Sequence, residues 1–292
     1  MTSHFLLLIV LLVSSVASHA APCGNPWRNS KGPGCDYVQW GNTYVRAGYV
    51  LESAQNKFLG NVLYFEGLGD SMLNHLPLFN SLSKAGFRVI AFDYPGQGGS
   101  LGSMDNTNIS DIVKAGSELL YLYGRDVQNS QKIIIGWSTG GLAAYFAAYL
   151  GHADKIVLLN PSIVPRIRFG GGFRMQITLK NLTSQSYLGY GIDPHIEEIK
   201  PNSPLNVPLF AAHLLATSYF VRNLKIAPHV QGLVLLSGRH DRFIDPTSTQ
   251  DILEEKAPHF EFHSFPEAFH ELDNEREPVN QWVRNEIIKF LN

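Results

Sequence analysis

Five short apolar runs, at residues 61–66, 87–93, 132–136, 155–159 and 231–237, alternate with segments whose apolar residues recur at helical spacing. This alternation leaves the chain few architectures. A strand that is apolar along its whole length must be covered on both faces, which is the situation of a parallel sheet with helices packed above and below it. Residues 109–123 read as an amphipathic helix with Asn108 or Ser110 as its cap, 141–150 as a helix of small residues, 259–265 as a further strand and 278–291 as a closing helix. The expected fold class is α/β, with a mostly parallel central sheet and helices on both faces. Between residues 161 and 229 the rhythm fails: Gly170-Gly171-Gly172, several prolines and a long apolar stretch from 205 to 221 interrupt it. Residues 163–228 therefore read as an insertion into a core made of 55–162 and 229–292. An insertion that follows the C-terminal end of a strand lies over the crevice where open α/β sheets bind ligands.

With 292 residues and 45% hydrophobic composition, the chain can bury one substantial core. Only 16% of residues are charged and the formal net charge is -2, so no basic field exists to neutralise phosphates, and nucleic acid is not an expected partner. No apolar run reaches the roughly 18 to 20 residues of a membrane-spanning helix. Residues 5–13 are uniformly apolar and lead into Ala17-Ser18-His19-Ala20-Ala21, the shape of a secretory signal peptide over 1–20 cleaved after Ala20. The chain is thus expected to be exported, to the periplasm or the medium. Behind that cut, Cys23 and Cys35 are the two cysteines of the 21–54 segment, and an even count in an exported chain is expected to form a disulfide. Two thiols without clustered histidines do not make a zinc site, and neither metal nor cofactor is expected. Asn108-Ile109-Ser110 and Asn181-Leu182-Thr183 would be glycan acceptors in a eukaryotic host.

The strand at 132–136 runs into Gly136-Trp137-Ser138-Thr139-Gly140, and a helix follows. Glycines at both flanks permit a sharp turn that lifts a serine hydroxyl out of the sheet, and the helix N-terminus directs amides at developing negative charge. Ser138 is the expected nucleophile. A serine hydroxyl needs a base and the base an orienting carboxylate, which in this architecture come later in the chain, acid first. Asp241 follows the strand at 231–237, and His270 follows the strand at 259–265. The rival acid Asp245 precedes Pro246 and is better read as a helix cap, while His240, His259 and His263 are rival bases, the last two placed within the final strand. Two backbone N–H donors are needed for the oxyanion of acyl transfer. Thr139, next to the nucleophile, supplies one, and Leu68 in Glu66-Gly67-Leu68-Gly69-Asp70 is the expected second.

At these residues the chain resembles the α/β-hydrolase fold, and within it the lysophospholipase and monoacylglycerol lipase group with its serine aminopeptidase-like members. The similarity covers roughly residues 55–160 and 230–290. Asp93-Tyr94-Pro95-Gly96-Gln97-Gly98-Gly99-Ser100 is similar to the group's D-x-x-G-x-G-x-S stretch, with Gln97 at the usual His. His270-Glu271-Leu272-Asp273-Asn274-Glu275 resembles the H-E-L-x-N-E pattern around the catalytic His, and residues 238–244 resemble the acid motif. Two further departures stand beside Gln97: Glu66 where the oxyanion loop opens with His, and Trp137 where the elbow carries His. The resemblance implies an esterase acting through an acyl-enzyme on small acyl esters or lysolipids, with transient contact to a lipid surface. It also makes 163–228 a helical cap that builds the acyl pocket, and Phe210, Leu214 and Tyr219 the residues expected to line it. The helix at 208–221 is apolar nearly all round, so it is expected to be buried or to cover a ligand. Hydrolysis of amides is the alternative, with Glu66, Glu197 or Glu198 holding a free amine, and an inactive binding protein on the same scaffold is the second.

Overall fold

The computed structural model describes residues 35–50, 57–124, 131–166, 176–178 and 204–292. Eight strands form one sheet in the order β1-β2-β4-β3-β5-β6-β9-β10: β1 (Cys35–Trp40), β2 (Thr43–Val50), β3 (Gly60–Phe65), β4 (Phe87–Phe92), β5 (Lys132–Trp137), β6 (Lys155–Leu159), β9 (Gln231–Ser237) and β10 (Glu261–Phe265). From β4 to β10 every pairing is parallel, while β1 and β2 join antiparallel at one edge. This is the mostly parallel sheet that the alternation predicts.

Successive residues of each central strand enter different cores, because strand side chains alternate in direction. Leu63, Phe65, Ile90, Phe92, Ile134, Ile156, Leu158, Val234 and Leu236 face one side, where α2 (Ile109–Tyr123) and α3 (Thr139–Tyr149) lie. Val62, Tyr64, Val89, Ile133, Ile135, Val157, Leu159, Leu233 and Leu235 face the other, against α1 (Leu76–Ala85) and α6 (Val279–Leu291). Both faces are therefore apolar and neither is left to water. The caps behave as their chemistry requires. Asn108 accepts from the amide of Asp111 and donates its own amide back to the Asp111 carboxylate, a reciprocal box that starts α2. Asp245 accepts from Ser248 at the start of α5 (Pro246–Lys256), so it caps this helix as expected.

Two elements lie outside the sequence expectation. Residues 35–50 of the expected N-terminal segment belong to the sheet as β1 and β2, joined by a two-residue turn at Gly41-Asn42 with Gly41 at φ 53. The second is α1, whose signals are a proline in its first turn, buried Leu78, Phe79 and Leu82 at helical spacing, and Gly86 in the left-handed conformation at its end. His259 lies before the last strand and not within it, since β10 begins at Glu261.

The break after β6 is present. The described residues there form a small antiparallel pair, β7 (Gln176–Thr178) with β8 (Pro204–Asn206), followed by α4 (Val207–Val221). Of the two expectations for this helix, burial is met only on one face: Ser218 and Val221 are buried, whereas Leu215, Tyr219 and Phe220 are exposed. One face of the helix docks, with Ser218 donating to the Ile163 carbonyl and Phe220 touching Phe146 of α3 edge-on. Among the described residues no helix is long and apolar enough to cross a membrane. Residues 1–34, with the expected leader and Cys23, lie outside the described residues, as do Asn181, Glu197 and Glu198 and the side chain of Cys35.

Candidate active site

β5 ends at Trp137 and α3 begins at Thr139, which leaves Ser138 alone to turn the chain. It does so at φ 55 and ψ -116, a conformation that a side chain with a Cβ adopts at a cost of order 1–3 kcal/mol. Three backbone hydrogen bonds hold it there: Ser138 donates to Leu159, and its carbonyl accepts from Leu142 and Ser162. The turn also requires that α3 start directly against β3. A Cβ on Gly140 would collide with the carbonyl oxygens of Phe65 and Glu66, and a Cβ on Gly67 would collide with the Trp137 ring.

The structure brings three expected residues together from three loops. Ser138 Oγ lies 2.8 Å from His270 Nε2, and His270 Nδ1 lies 2.8 Å from Asp241 Oδ2. All three are buried. Asp241 Oδ2 also accepts from Ser237 Oγ at 2.7 Å, and Oδ1 accepts from the amides of Phe243 and Ile244 at 2.8 and 3.0 Å. Burial by itself would raise this carboxyl. The His270 charge, the His270 hydrogen bond and those from Ile244 and Ser237 outweigh it and hold Asp241 below the usual carboxylate range. Asp241 is thus a carboxylate, which only accepts, so Nδ1 carries a proton, and in the neutral ring Nε2 presents its lone pair to the serine. The rival groups lie elsewhere. His240 pairs with Glu267, His259 with the Val230 carbonyl and His263 with Glu286, none of them bonded to Ser138.

Residues not foreseen as part of the site set the position of His270. Its carbonyl accepts from Trp137 Nε1 at 3.0 Å and from Asn160 Nδ2 at 2.7 Å. Asn160 Oδ1 in turn accepts from the amide of Ser237, whose single hydroxyl proton goes to Asp241 Oδ2. Asn160, at φ 43, follows β6 and precedes Pro161, and an Asn-Pro pair at a strand end is a turn signal that the sequence does display. Ser162 Oγ lies 3.3 Å from Ser138 Oγ.

Of the two expected oxyanion donors, Thr139 is the first residue of α3 and Leu68 stands half-buried in the turn after β3. Neither amide is bonded to a described acceptor. The expected pocket residues separate. Leu214 lines a narrow crevice of about 10 Å³ together with Thr139, Ile109, Ile112, His213 and Thr217. Tyr219 does not line it: it is 72% exposed, because it adjoins Ser218 on the docked face and so projects about 100° away from it. Phe210 belongs to α4, and its side chain lies outside the described residues. Glu66, expected as a holder of a substrate amine, is fully buried with Oε1 bonded to the Tyr94 amide and Gln97 Nε2, so it presents no carboxylate to a substrate.

A second buried cluster lies behind the first. His75 Nε2 is 2.5 Å from Asp70 Oδ2 and His75 Nδ1 is 2.6 Å from Asp273 Oδ2, with the ring between Tyr64 and Trp137. Among the described residues, Asp70, His75 and Glu271 form the one group whose ligand atoms come within 4.8 Å of each other. Both imidazole nitrogens are taken by carboxylates, which is the pattern of an imidazolium and not of a metal-bound ring. Burial lowers the pKa of His75, but the charges of Asp273 and Asp70 raise it well above the ordinary value. Glu271, buried and facing Asp70, is pushed up to about 8.

A family model described as serine aminopeptidase, S33, matches residues 56–277. The uncharacterized protein YfhR of Escherichia coli O157:H7 is 24% identical over 199 residues, which are 64% of this chain and 65% of that protein. The chain thus spans slightly less than two thirds of that curated relative. Among solved structures, the monoacylglycerol lipase of Paleococcus ferrophilus aligns with a TM-score of 0.62 at 20% identity, covering 85% of this chain and 98% of that one. A soluble variant of the Saccharomyces cerevisiae monoglyceride lipase, in complex with a substrate analog, aligns with a TM-score of 0.66 at 16% identity, covering 90% and 96%. At such identities these two structures show the fold.

Proposed function

The chain belongs to the serine aminopeptidase S33 family and has the α/β-hydrolase fold, and from this premise we propose that it is a serine hydrolase of carboxylic esters, of the monoacylglycerol lipase or lysophospholipase kind. The observation that carries the proposal is the unbroken relay from Ser138 through His270 to the buried Asp241 carboxylate.

In the proposed reaction Ser138 Oγ attacks the ester carbonyl carbon while its proton passes to His270 Nε2, and Asp241 stabilises the imidazolium that results. The carbonyl oxygen becomes an oxyanion facing the amides of Leu68 and Thr139. Collapse of this intermediate breaks the bond to the alcohol, which leaves with the proton from His270. Water then gives a proton to His270, attacks the acyl-enzyme, and the acid departs as Ser138 recovers its proton.

Two observations favour esters over amides. The structural neighbours include a monoacylglycerol lipase and a monoglyceride lipase, and the apolar side chains of Met104, Ile109, Ile112 and Leu214 gather around the crevice beside Thr139. Burial of Glu66 also removes one of the groups that an aminopeptidase reading would use. The proposal includes export after cleavage behind Ala20 and a disulfide between Cys23 and Cys35. Intact mass with and without reductant, together with the N-terminal sequence of the exported chain, tests that part.

Mass spectrometry after reaction with a fluorophosphonate probe tests the mechanism, with Ser138→Ala as control. Labelling at Ser138 alone is expected, followed by turnover of monoacylglycerols or lysophospholipids in a substrate screen. Folded protein that takes no label overturns the serine mechanism. Labelled protein that cleaves aminoacyl amides faster than esters overturns the substrate class.

A further inference from the structure

Gln97 makes more contacts with the loop after β3 than any other side chain in the described hydrogen-bond network. Its Nε2 donates to Glu66 Oε1 at 2.8 Å and to the Gly67 carbonyl at 3.0 Å, and its Oε1 accepts from the Gly69 amide at 2.8 Å. Both hydrogens of the carboxamide nitrogen are thereby used, and the side chain is fully buried. Its backbone is anchored in turn, with its amide donating to Tyr94 and its carbonyl accepting from Ser100.

The two backbone groups it grips flank Leu68. A peptide unit is planar and trans, so the C=O of Gly67 and the N–H of Leu68 point in opposite directions. A Gly67 carbonyl bound to Gln97 therefore aims the Leu68 N–H directly away from Gln97. That amide has no acceptor among the described residues. On its other flank the loop meets the serine elbow, where the Trp137 ring lies against Gly67 and Gly140 lies against the carbonyls of Phe65 and Glu66. The loop is thus held between one carboxamide and the elbow.

Glu66 completes the grip. Its Oε1 accepts from Gln97 Nε2 and from the Tyr94 amide, while burial and repulsion from Asp93 and Asp70 raise its carboxyl well above the usual range. The two residues that depart from the group's usual His in these two motifs are therefore bonded to each other.

We propose that Gln97 is a positioning residue of the oxyanion site: its carboxamide sets the peptide plane that directs the Leu68 N–H at the developing charge. The inference rests on the serine mechanism above. Kinetics on a p-nitrophenyl ester, together with inhibition by an alkylboronic acid that forms a charged tetrahedral adduct on serine, test it in Gln97→Met and Gln97→Glu. Methionine keeps the volume and removes all three hydrogen bonds, whereas glutamate keeps an acceptor for Gly69 and replaces the two N–H donors by at most one O–H. Loss of one oxyanion donor costs about 10²- to 10³-fold in kcat. Gln97→Met is expected to lower kcat by about 10²-fold and boronate affinity by a comparable factor, with KM and the pH midpoint of kcat/KM unchanged. Gln97→Glu is expected to fall between Gln97→Met and the parent, and it decides the matter where Gln97→Met does not fold. Folded variants whose kcat and boronate affinity match the parent, or whose whole loss is in KM, overturn the inference while Ser138 labelling and parent turnover still stand. Parent protein that neither binds boronate nor takes the fluorophosphonate label overturns the mechanism, and the inference with it.

Discussion

Replacing His75 by alanine should destabilise the protein in a manner that depends on pH, and the direction follows from its two partners. Carboxylates only accept hydrogen bonds, so a ring placed 2.5 Å from Asp70 and 2.6 Å from Asp273 carries a proton on each nitrogen. All three side chains are essentially inaccessible to water. Removing one partner of a buried ion pair costs about 3–5 kcal/mol, because the remaining charge has neither water nor counter-ion. Here two carboxylates are stranded, beside a third carboxyl at Glu271. In the parent protein the raised His75 contributes stability that is fully present below its unfolded value of about 6.5 and is lost as pH climbs through the folded value. Asp70 behaves oppositely. Burial raises it, but the His75 charge and hydrogen bonds lower it overall, so its contribution is present above about pH 4 and is lost on acidification through the folded value. Glu271, raised to about 8, makes stability fall between roughly pH 4.5 and 8, where it ionises in the unfolded chain first. In His75→Ala the stranded Asp70, no longer held down by the imidazolium, recovers part of the loss by taking up a proton at low pH. Urea denaturation should therefore show a loss of about 3–5 kcal/mol at neutral pH, and a smaller loss near pH 5. A loss below about 1 kcal/mol, or one that is flat across that range, would refute the imidazolium and require a neutral ring with a protonated aspartate.

Three further outcomes are expected. Asp241→Asn preserves shape but can donate to His270 Nδ1, which favours the wrong tautomer, and kcat should fall by about 10⁴-fold with little change in KM. Trp137→Phe removes one of the two donors to the His270 carbonyl while Asn160 keeps the other, so stability should drop by about 1 kcal/mol and kcat/KM by no more than about tenfold, read by denaturation and ester turnover. Gly140→Ala forces a methyl group against two fixed backbone oxygens and should cost about 1–3 kcal/mol in a denaturation series and slow fluorophosphonate labelling of Ser138; an unchanged labelling rate would contradict the close approach of α3 to β3.

The features legible in the sequence are those that residues decide locally. Helix α2 occupies Ile109–Tyr123 as its periodicity predicts, because Asn108 and Asp111 close the capping box within four residues. β6 and β9 carry the bounds read from their apolar runs. The glycines around Ser138 announce a tight turn, and the order of acid and base places both at strand ends in one sheet. Helix α1 was legible too, through its proline and its closing glycine, but its ten residues are overshadowed by the stronger signals on either side.

Tertiary structure decided which polar groups meet. Asp70 and Asp273 lie 5 and 198 residues from the histidine they share, Gln97 lies 28 to 31 residues from the groups it holds, and Trp137 reaches the carbonyl of a residue 133 positions away. Apart from Asp70 and His75, which lie within one connection after β3, these pairs form only after sheet order brings separate loops to the same edge. The same holds for Tyr219. Its apolar character suits either a pocket or a surface, and only the docking of Ser218 and Val221 turned it outward. Sequence by itself determined the strand–helix alternation, the serine turn and the chemical types available at the loop ends, because these depend on backbone sterics and neighbouring side chains. Only the tertiary structure decided their partners, their burial and hence their charge states, because desolvation and hydrogen bonding depend on residues that the chain brings together solely by folding.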